Sequence, residues 1–165
     1  MNKFNYISEL SVDTLPSGRT YHTPDGSYPS LTTILGKTAN APWLDLWKAR
    51  VGAEEAARIS KEATDRGTLI HSYAERYFNK EDIWPEVNAE PSLIRQMTRD
   101  LIVAVDSNIT EIWTQECALW SNKYRFAGRT DMVGLWNNVP SIIDFKTSKK
   151  NKSVRIENTS DIVDG

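Results

Sequence analysis

The stretch from residue 125 to residue 147, RFAGRTDMVGLWNNVPSIIDFKT, decides the fold because its side-chain pattern repeats every two positions. Such alternation is typical of half-buried β-strands. Together with the residues before it, this stretch predicts three strands, at 112–121, 125–136 and 141–147, joined by short, turn-rich connections. The three strands are expected to form a small antiparallel meander.

The region before the meander has helical periodicity. Apolar residues recur at spacings of three and four through 42–78 and again through 92–108. Gly67 predicts a break within the first run, where one helix ends and the next begins. Ser30 is a candidate N-cap for a short helix that starts at Leu31. Helices followed by a strand meander indicate an α+β fold.

The N-terminal and C-terminal segments are more polar than the centre. Residues 1–18 are interpreted as an arm that ends in a turn, and a hairpin is expected over 19–28 around Pro24-Asp25-Gly26. The folded domain is predicted to span 19–147. Residues 148–165 are interpreted as a polar, basic tail.

Length and composition restrict the class of protein. The chain has 165 residues, of which 39% are hydrophobic and 25% charged, as in a single globular domain. A net charge of −2 gives no general signal for a polyanionic partner, although local basic patches can still provide one. Cys117 is the only cysteine, which excludes a disulfide framework. Because no segment approaches the roughly 18 apolar residues of a membrane span, we expect a cytoplasmic protein with no membrane partner.

Two acids and a lysine occupy the second and third predicted strands. Asp144 and Lys146 share one face of a strand, about 7 Å apart, while Ile143 and Phe145 face the other way. Asp131 lies among core-like residues of the preceding strand. Two such acids on neighbouring strands repel each other unless a cation lies between them, and Mg²⁺ suits carboxylate oxygens.

Further metal-ligating residue types lie nearby in the sequence. His71 and Glu75 are four residues apart and so share one helix face, and Glu116 lies on the first predicted strand. Each signal also has an ordinary interpretation. An Asp-x-Lys pattern is common in strands, His71 and Glu75 can form a surface pair, and Asp131 can be a turn residue. Their order and spacing are more specific than any one of them.

In that order the motifs resemble the PD-(D/E)xK nuclease superfamily, in its RecB-like exonuclease branch. The resemblance is strongest to single-strand-directed DNA exonucleases of the phage and mitochondrial-genome-maintenance type. It covers about 19–150 and rests on 21–35, 66–71, Glu116, 128–131 and 144–148. It implies a restriction-endonuclease-like core and a DNA exonuclease that depends on Mg²⁺ or Mn²⁺, acting in recombination, repair or degradation.

The resemblance also implies residue roles. Metal ligands would be Asp131, Asp144, His71 and the backbone carbonyl of Phe145. Lys146 would orient or deprotonate the attacking water, so that the catalytic residues would be Asp131, Asp144 and Lys146. Glu75 and Glu116 would be second-tier candidates that act through water or support the ligands.

The implied partner is DNA, single-stranded or with a free end, in the cytoplasm or, for a phage protein, the host cytoplasm. Candidate DNA-binding residues are Arg66, Arg125, Arg129 and Lys149, whose charges could contact phosphates. The aromatic residues Tyr28, Trp43 and Trp47 could stack on bases, although core packing is the plainer interpretation.

The resemblance stops after the lysine strand. The branch carries a Gln-x-x-x-Tyr motif on the next helix, but this sequence has no glutamine after Gln115 and no tyrosine after Tyr124. We therefore expect the last helix and strand of the core to be missing. Three explanations stay open: an interrupted protein with a complementing C-terminal fragment, self-association that completes the sheet, and a non-catalytic DNA-binding or assembly module. A structural α+β domain with no nucleic-acid role is a further alternative to the nuclease interpretation.

Overall fold

In the part of the chain that the structure describes, the strands form two separate antiparallel sheets, and five helices lie between them in the chain. The computed structural model describes residues 10–38 and 42–149. In chain order the elements are β1 (Ser11–Leu15), β2 (Gly18–Thr23), β3 (Gly26–Pro29), α1 (Leu31–Thr38), α2 (Pro42–Val51), α3 (Ala53–Phe78), α4 (Trp84–Ala89), α5 (Ser92–Asp106), β4 (Ile109–Ser121), β5 (Phe126–Trp136) and β6 (Val139–Ile143). The α+β class is therefore confirmed.

The first sheet has the strand order β1-β2-β3. The hairpin expected over 19–28 is present as β2 and β3. Residues 11–15, which the sequence analysis assigned to the arm, form β1 and pair with β2. The two apolar residues of β1, Val12 and Leu15, are three positions apart, so the strand lacks the period-two alternation that would predict it from sequence.

The second sheet is the predicted meander, in the order β4-β5-β6. Its third strand is shorter than expected, because the pairing with β5 ends at Met132 and Ile143. Residues 144–148 continue beyond the last ladder pair without regular secondary structure. Asp144 and Lys146 therefore lie just beyond the C-terminal end of β6.

The helical region breaks at a different glycine from the one predicted. Gly67 lies inside the continuous helix α3, whereas Gly52 separates α2 from α3 with a φ of 87°. A positive φ favours glycine, so Gly52 ends α2 where other residues would be strained. At Gly67 an added Cβ would lie 3.7 Å from Thr147 Oγ1. The prediction of a break at Gly67 is wrong, and the residue instead lies where the 144–149 segment passes close to the helix.

Other helical expectations agree with the structure. Ser30 caps α1, since its Oγ accepts a hydrogen bond from the backbone N–H of Thr33 at 3.0 Å. The second helical run, expected over 92–108, is α5. Within the described residues, no helix is both long and apolar enough to cross a lipid bilayer.

Three buried clusters hold these elements together. The main cluster joins α3 and α5 to the second sheet and contains Ala74, Phe78, Val105, Met132 and Phe145. A second one fixes α4 between α3 and α5 and contains Tyr73, Ile83, Val87 and Ile102. The third joins the first sheet to β5 and contains Tyr21, Tyr28 and Ala127. Together they fix α3 against the part of β5 that carries Asp131.

Candidate metal centre

Three side chains of metal-ligating type converge from three different elements. His71 on α3, Glu116 on β4 and Asp131 on β5 each offer one ligand atom, and these atoms lie within 4.8 Å of one another. All three residues are half-buried. We call this set the acid–histidine cluster.

Both carboxylate oxygens of Asp131 are held in place. Oδ1 lies 3.1 Å from His71 Nδ1, and Oδ2 accepts a hydrogen bond from the backbone N–H of Phe145. The Asp131 side chain is only 13% exposed. The ring of Phe145 is buried and meets the imidazole of His71 edge-on, with ring centroids 5.7 Å apart. The segment after β6 therefore fixes both the acid and the histidine.

The charges of the cluster perturb its pKa values in opposite directions. Burial acts to raise the pKa of Asp131, but the hydrogen bonds from His71 and Phe145 outweigh it and lower the pKa. Burial raises the pKa of Glu116, and the negative charge of Asp131 raises it further. The pKa of His71 is raised, mainly by its hydrogen bond to Asp131. The two acids thus repel each other, and a positive charge between them would relieve that repulsion.

The backbone of β4 is distorted at the residue that supplies a carboxylate. Glu116 has a φ of 48°, a left-handed conformation that is uncommon for a residue with a side chain. Its neighbours Gln115 and Cys117 pair with Met132 and Thr130, so Glu116 lies opposite Asp131. Strained backbone conformations of this kind concentrate at functional sites. The distortion therefore supports a functional role for Glu116.

Asp144 and Lys146 lie outside the acid–histidine cluster. Their side chains are 51% and 73% exposed, and they form an ion pair with each other. The positive charge of Lys146 nevertheless acts to lower the pKa values of His71 and Asp131, so its ammonium is within electrostatic range of the cluster. Of the four ligands that the resemblance implies, the structure brings His71 and Asp131 together. Phe145 contacts Asp131 through its N–H.

Comparisons with family models, curated proteins and solved structures found no match. The chemistry of the cluster therefore has to be argued from its own residues.

The two second-tier acids differ in their distance from the cluster. Glu116 is a member, and the negative charge of Glu75 acts to raise the pKa of Glu116 from the neighbouring helix. One sequence signal could have identified Glu116 as a ligand. Counting residues back from the β4–β5 turn places it opposite Asp131. The register is unbroken from that turn to Thr114, and the two irregularities of β4 lie on the far side of Glu116.

The four candidate DNA-binding residues lie in different surroundings. The Nε of Arg129 is 3.6 Å from Glu116 Oε2, so Arg129 adjoins the cluster. Lys149 lies near α3, with its Nζ 3.9 Å from Glu62 Oε2. Arg66 is half-buried, and its Nε has no hydrogen-bond partner in the described part of the chain. Arg125 lies six residues from Asp131, about 20 Å along the strand.

Proposed function

We propose that this chain is a metal-dependent deoxyribonuclease of exonuclease type, acting on single-stranded DNA or on free DNA ends. The observation that supports this most directly is the approach of three ligand atoms, from His71, Glu116 and Asp131, to within 4.8 Å of one another. They come from one helix and two strands, so tertiary structure rather than local sequence brings them together.

The donor set fits a hard or borderline divalent cation. One imidazole nitrogen and two carboxylates suit Mn²⁺, and the carboxylates with water suit Mg²⁺. The mutual repulsion of Glu116 and Asp131, seen in the raised pKa of Glu116, adds a physical reason for a cation at this position. When bound, such a cation polarises a phosphoryl oxygen and lowers the pKa of water.

The residues of the chain then have distinct tasks. Asp131 is held by hydrogen bonds at both oxygens, so it keeps a fixed position as a ligand. His71 has its ring orientation fixed by Asp131 and by the ring of Phe145. As an ammonium group, Lys146 donates hydrogen bonds, and it is exposed enough to orient a water molecule or to bind a phosphate oxygen.

The proposal differs from the family pattern at one ligand. It assigns Glu116 to the metal because Glu116 belongs to the cluster, and it leaves Asp144 as a ligand only by resemblance. Asp144 would have to leave its ion pair with Lys146 to reach a metal in the cluster. Exposed ion pairs contribute about 1 kcal/mol or less, so this rearrangement is inexpensive. Variants of both acids distinguish the two assignments.

A cleavage assay tests the proposal. End-labelled single-stranded and double-stranded DNA would be incubated with the purified protein in Mg²⁺, in Mn²⁺ or in EDTA, beside Asp131→Asn and Asp144→Ala. We expect metal-dependent cleavage by the wild type and loss of cleavage in Asp131→Asn. No cleavage by the wild type with either metal would contradict the proposal. Cleavage that persists in EDTA or in Asp131→Asn would point to a contaminating nuclease or a different site.

A second function is favoured by the ion pair of Asp144 with Lys146, which neutralises two residues that the resemblance assigns to catalysis. Such an arrangement suits a non-catalytic DNA-binding or assembly module on the same scaffold. The module would bind DNA in the assay above without cutting it. Binding without cleavage in both metals is therefore the outcome that selects this alternative.

A further inference from the structure

A groove of about 320 Å³ lies between the first sheet and the β4–β5 ladder. Its walls include Val12, Thr14 and Tyr21 from the first sheet and Ala118 from β4. Its charged side chains are Arg19 and Arg129. Among the described residues that line it, none is acidic. The groove therefore combines an apolar and hydroxyl-bearing surface with two guanidinium groups.

Strand register explains why the two arginines belong to the same groove. Arg19 pairs with Thr14 across β1 and β2, and Arg129 pairs with Ala118 across β4 and β5. Directly paired residues of an antiparallel ladder present their side chains on the same face. Asp13, at the alternate position of β1, is hydrogen bonded to His22 at 2.9 Å and does not line the groove.

The two arginines connect the groove to the acid–histidine cluster. Arg129 is 49% exposed on its side chain, and its Nε is 3.6 Å from the Oε2 of Glu116, a member of the cluster. Arg19 is exposed and has no ion-pair partner in the described part of the chain. A positive groove thus begins beside the acids of the cluster and continues outward to Arg19, which has no ion-pair partner among residues 10–38 and 42–149.

We propose that this groove binds the phosphodiester backbone of the substrate strand, with Arg19 and Arg129 holding phosphates next to the one at the cluster. This inference rests on the proposed nuclease function. Guanidinium groups bind phosphate oxygens through paired hydrogen bonds, which fits a groove whose described lining offers two guanidinium groups and no carboxylate. Arg129 was a candidate from its motif, whereas Arg19 becomes one through the position of the first sheet.

The test measures DNA binding apart from cleavage. Binding of the full chain to a short fluorescent single-stranded oligonucleotide would be followed by anisotropy with Ca²⁺ in place of Mg²⁺, at several salt concentrations. We expect Arg19→Gln to bind about tenfold more weakly, as for the loss of one charge-assisted hydrogen bond. The slope of log affinity against log salt should fall by about 0.7, the value for one phosphate contact on a single strand.

Two further variants serve as controls. Arg99→Gln removes the same charge from α5, where Arg99 bonds to Asn88 outside the groove, and should leave both affinity and slope unchanged. Arg19→Lys keeps the charge and should recover the salt slope. Circular dichroism and the thermal unfolding midpoint would verify that each variant is folded.

The inference is overturned if Arg19→Gln binds DNA with the affinity and slope of the wild type, or if Arg99→Gln loses as much affinity. A wild type that binds DNA but does not cut it with Mn²⁺ would contradict the proposed nuclease function. It would not affect the assignment of the groove as a DNA-binding surface. A wild type that binds no DNA overturns both proposals.

Discussion

Glu116→Gln gives the most specific prediction, because it should have opposite effects on the metal-free and the metal-bound protein. The substitution keeps the size of the side chain and removes one of the two negative charges in the acid–histidine cluster. We expect the variant to be more stable than the wild type in EDTA and less stable than the wild type in Mn²⁺.

The magnitude follows from the geometry. Two unit charges at the 4.8 Å that bounds the cluster repel by about 3 kcal/mol at an effective dielectric constant of about 20. The positive charges of Arg129 and His71 offset part of this repulsion, since both act to lower the pKa of Glu116. We therefore expect a gain of about 1 kcal/mol in the free energy of unfolding. For a chain of this size that is an increase of about 2–4 °C in the thermal midpoint.

Metal should reverse the order. At a Mn²⁺ concentration of about 100 times Kd, binding stabilises the wild type by about 2.7 kcal/mol, or about 5–10 °C. If the lost ligand weakens the affinity of the variant about a hundredfold, the same Mn²⁺ concentration stabilises it by only about 0.4 kcal/mol. Thermal unfolding followed by circular dichroism near pH 8, in EDTA and in a Mn²⁺ series, measures both quantities.

Glu54→Gln is the matched control, because Glu54 is an exposed carboxylate in the first turn of α3. It should gain as much from Mn²⁺ as the wild type. A Glu116→Gln variant that is less stable than the wild type in EDTA and still gains the full Mn²⁺ stabilisation would contradict the assignment of Glu116 to the metal. That result would make Glu116 a structural partner of Arg129 and not a metal ligand.

Three other predictions concern the cluster and the sheet. Asp144→Asn should weaken Mn²⁺ binding, measured by calorimetry, by less than Glu116→Gln does. An equal loss of affinity would indicate that Asp144 is also a metal ligand, as the resemblance implies. The hydrogen bond to Asp131 raises the pKa of His71 from 6.5. The metal-free wild type should therefore be more stable than His71→Gln below pH 6.5, and it should lose that advantage as the pH rises through the folded-state pKa. Urea unfolding midpoints measured across this pH range would detect the change. An alanine Cβ at Gly134 would overlap a backbone carbonyl oxygen of β4. Gly134→Ala should therefore lower the free energy of unfolding by about 1–3 kcal/mol, measured by urea titration. Gly128→Ala on the same strand is the control and should change it little, because no atom lies within 4 Å of the added Cβ.

The alternating pattern around the third strand predicted side-chain directions correctly. Phe145 is buried, and Asp144 and Lys146 are exposed, as the period of two requires. The pattern could not predict which carboxylates meet, because the ladder ends at Ile143 and no longer fixes the geometry of the residues beyond it. Asp144 and Lys146 form an ion pair in the structure, whereas a regular strand would hold these two residues about 7 Å apart.

The helix boundary and the third ligand show two other limits. Gly52 and Gly67 offer the same helix-ending signal, but Gly52 has a φ of 87° and ends α2, whereas Gly67 lies within the continuous helix α3. Glu116 adopts a left-handed backbone conformation that sequence signals associate with glycine, so nothing in its residue type predicts the distortion. Local sequence neither distinguishes the two glycines nor indicates the backbone conformation of Glu116.

Pulsed electron paramagnetic resonance of bound Mn²⁺ can determine whether His71, Glu116 and Asp131 hold a divalent cation. The chain has two histidines, so a nitrogen coupling can be assigned with two variants. We predict one bound Mn²⁺ coupled to an imidazole nitrogen, with the coupling lost in His71→Gln and kept in His22→Gln. A nitrogen coupling that persists in His71→Gln, or the absence of bound Mn²⁺ in the wild type, would contradict the account.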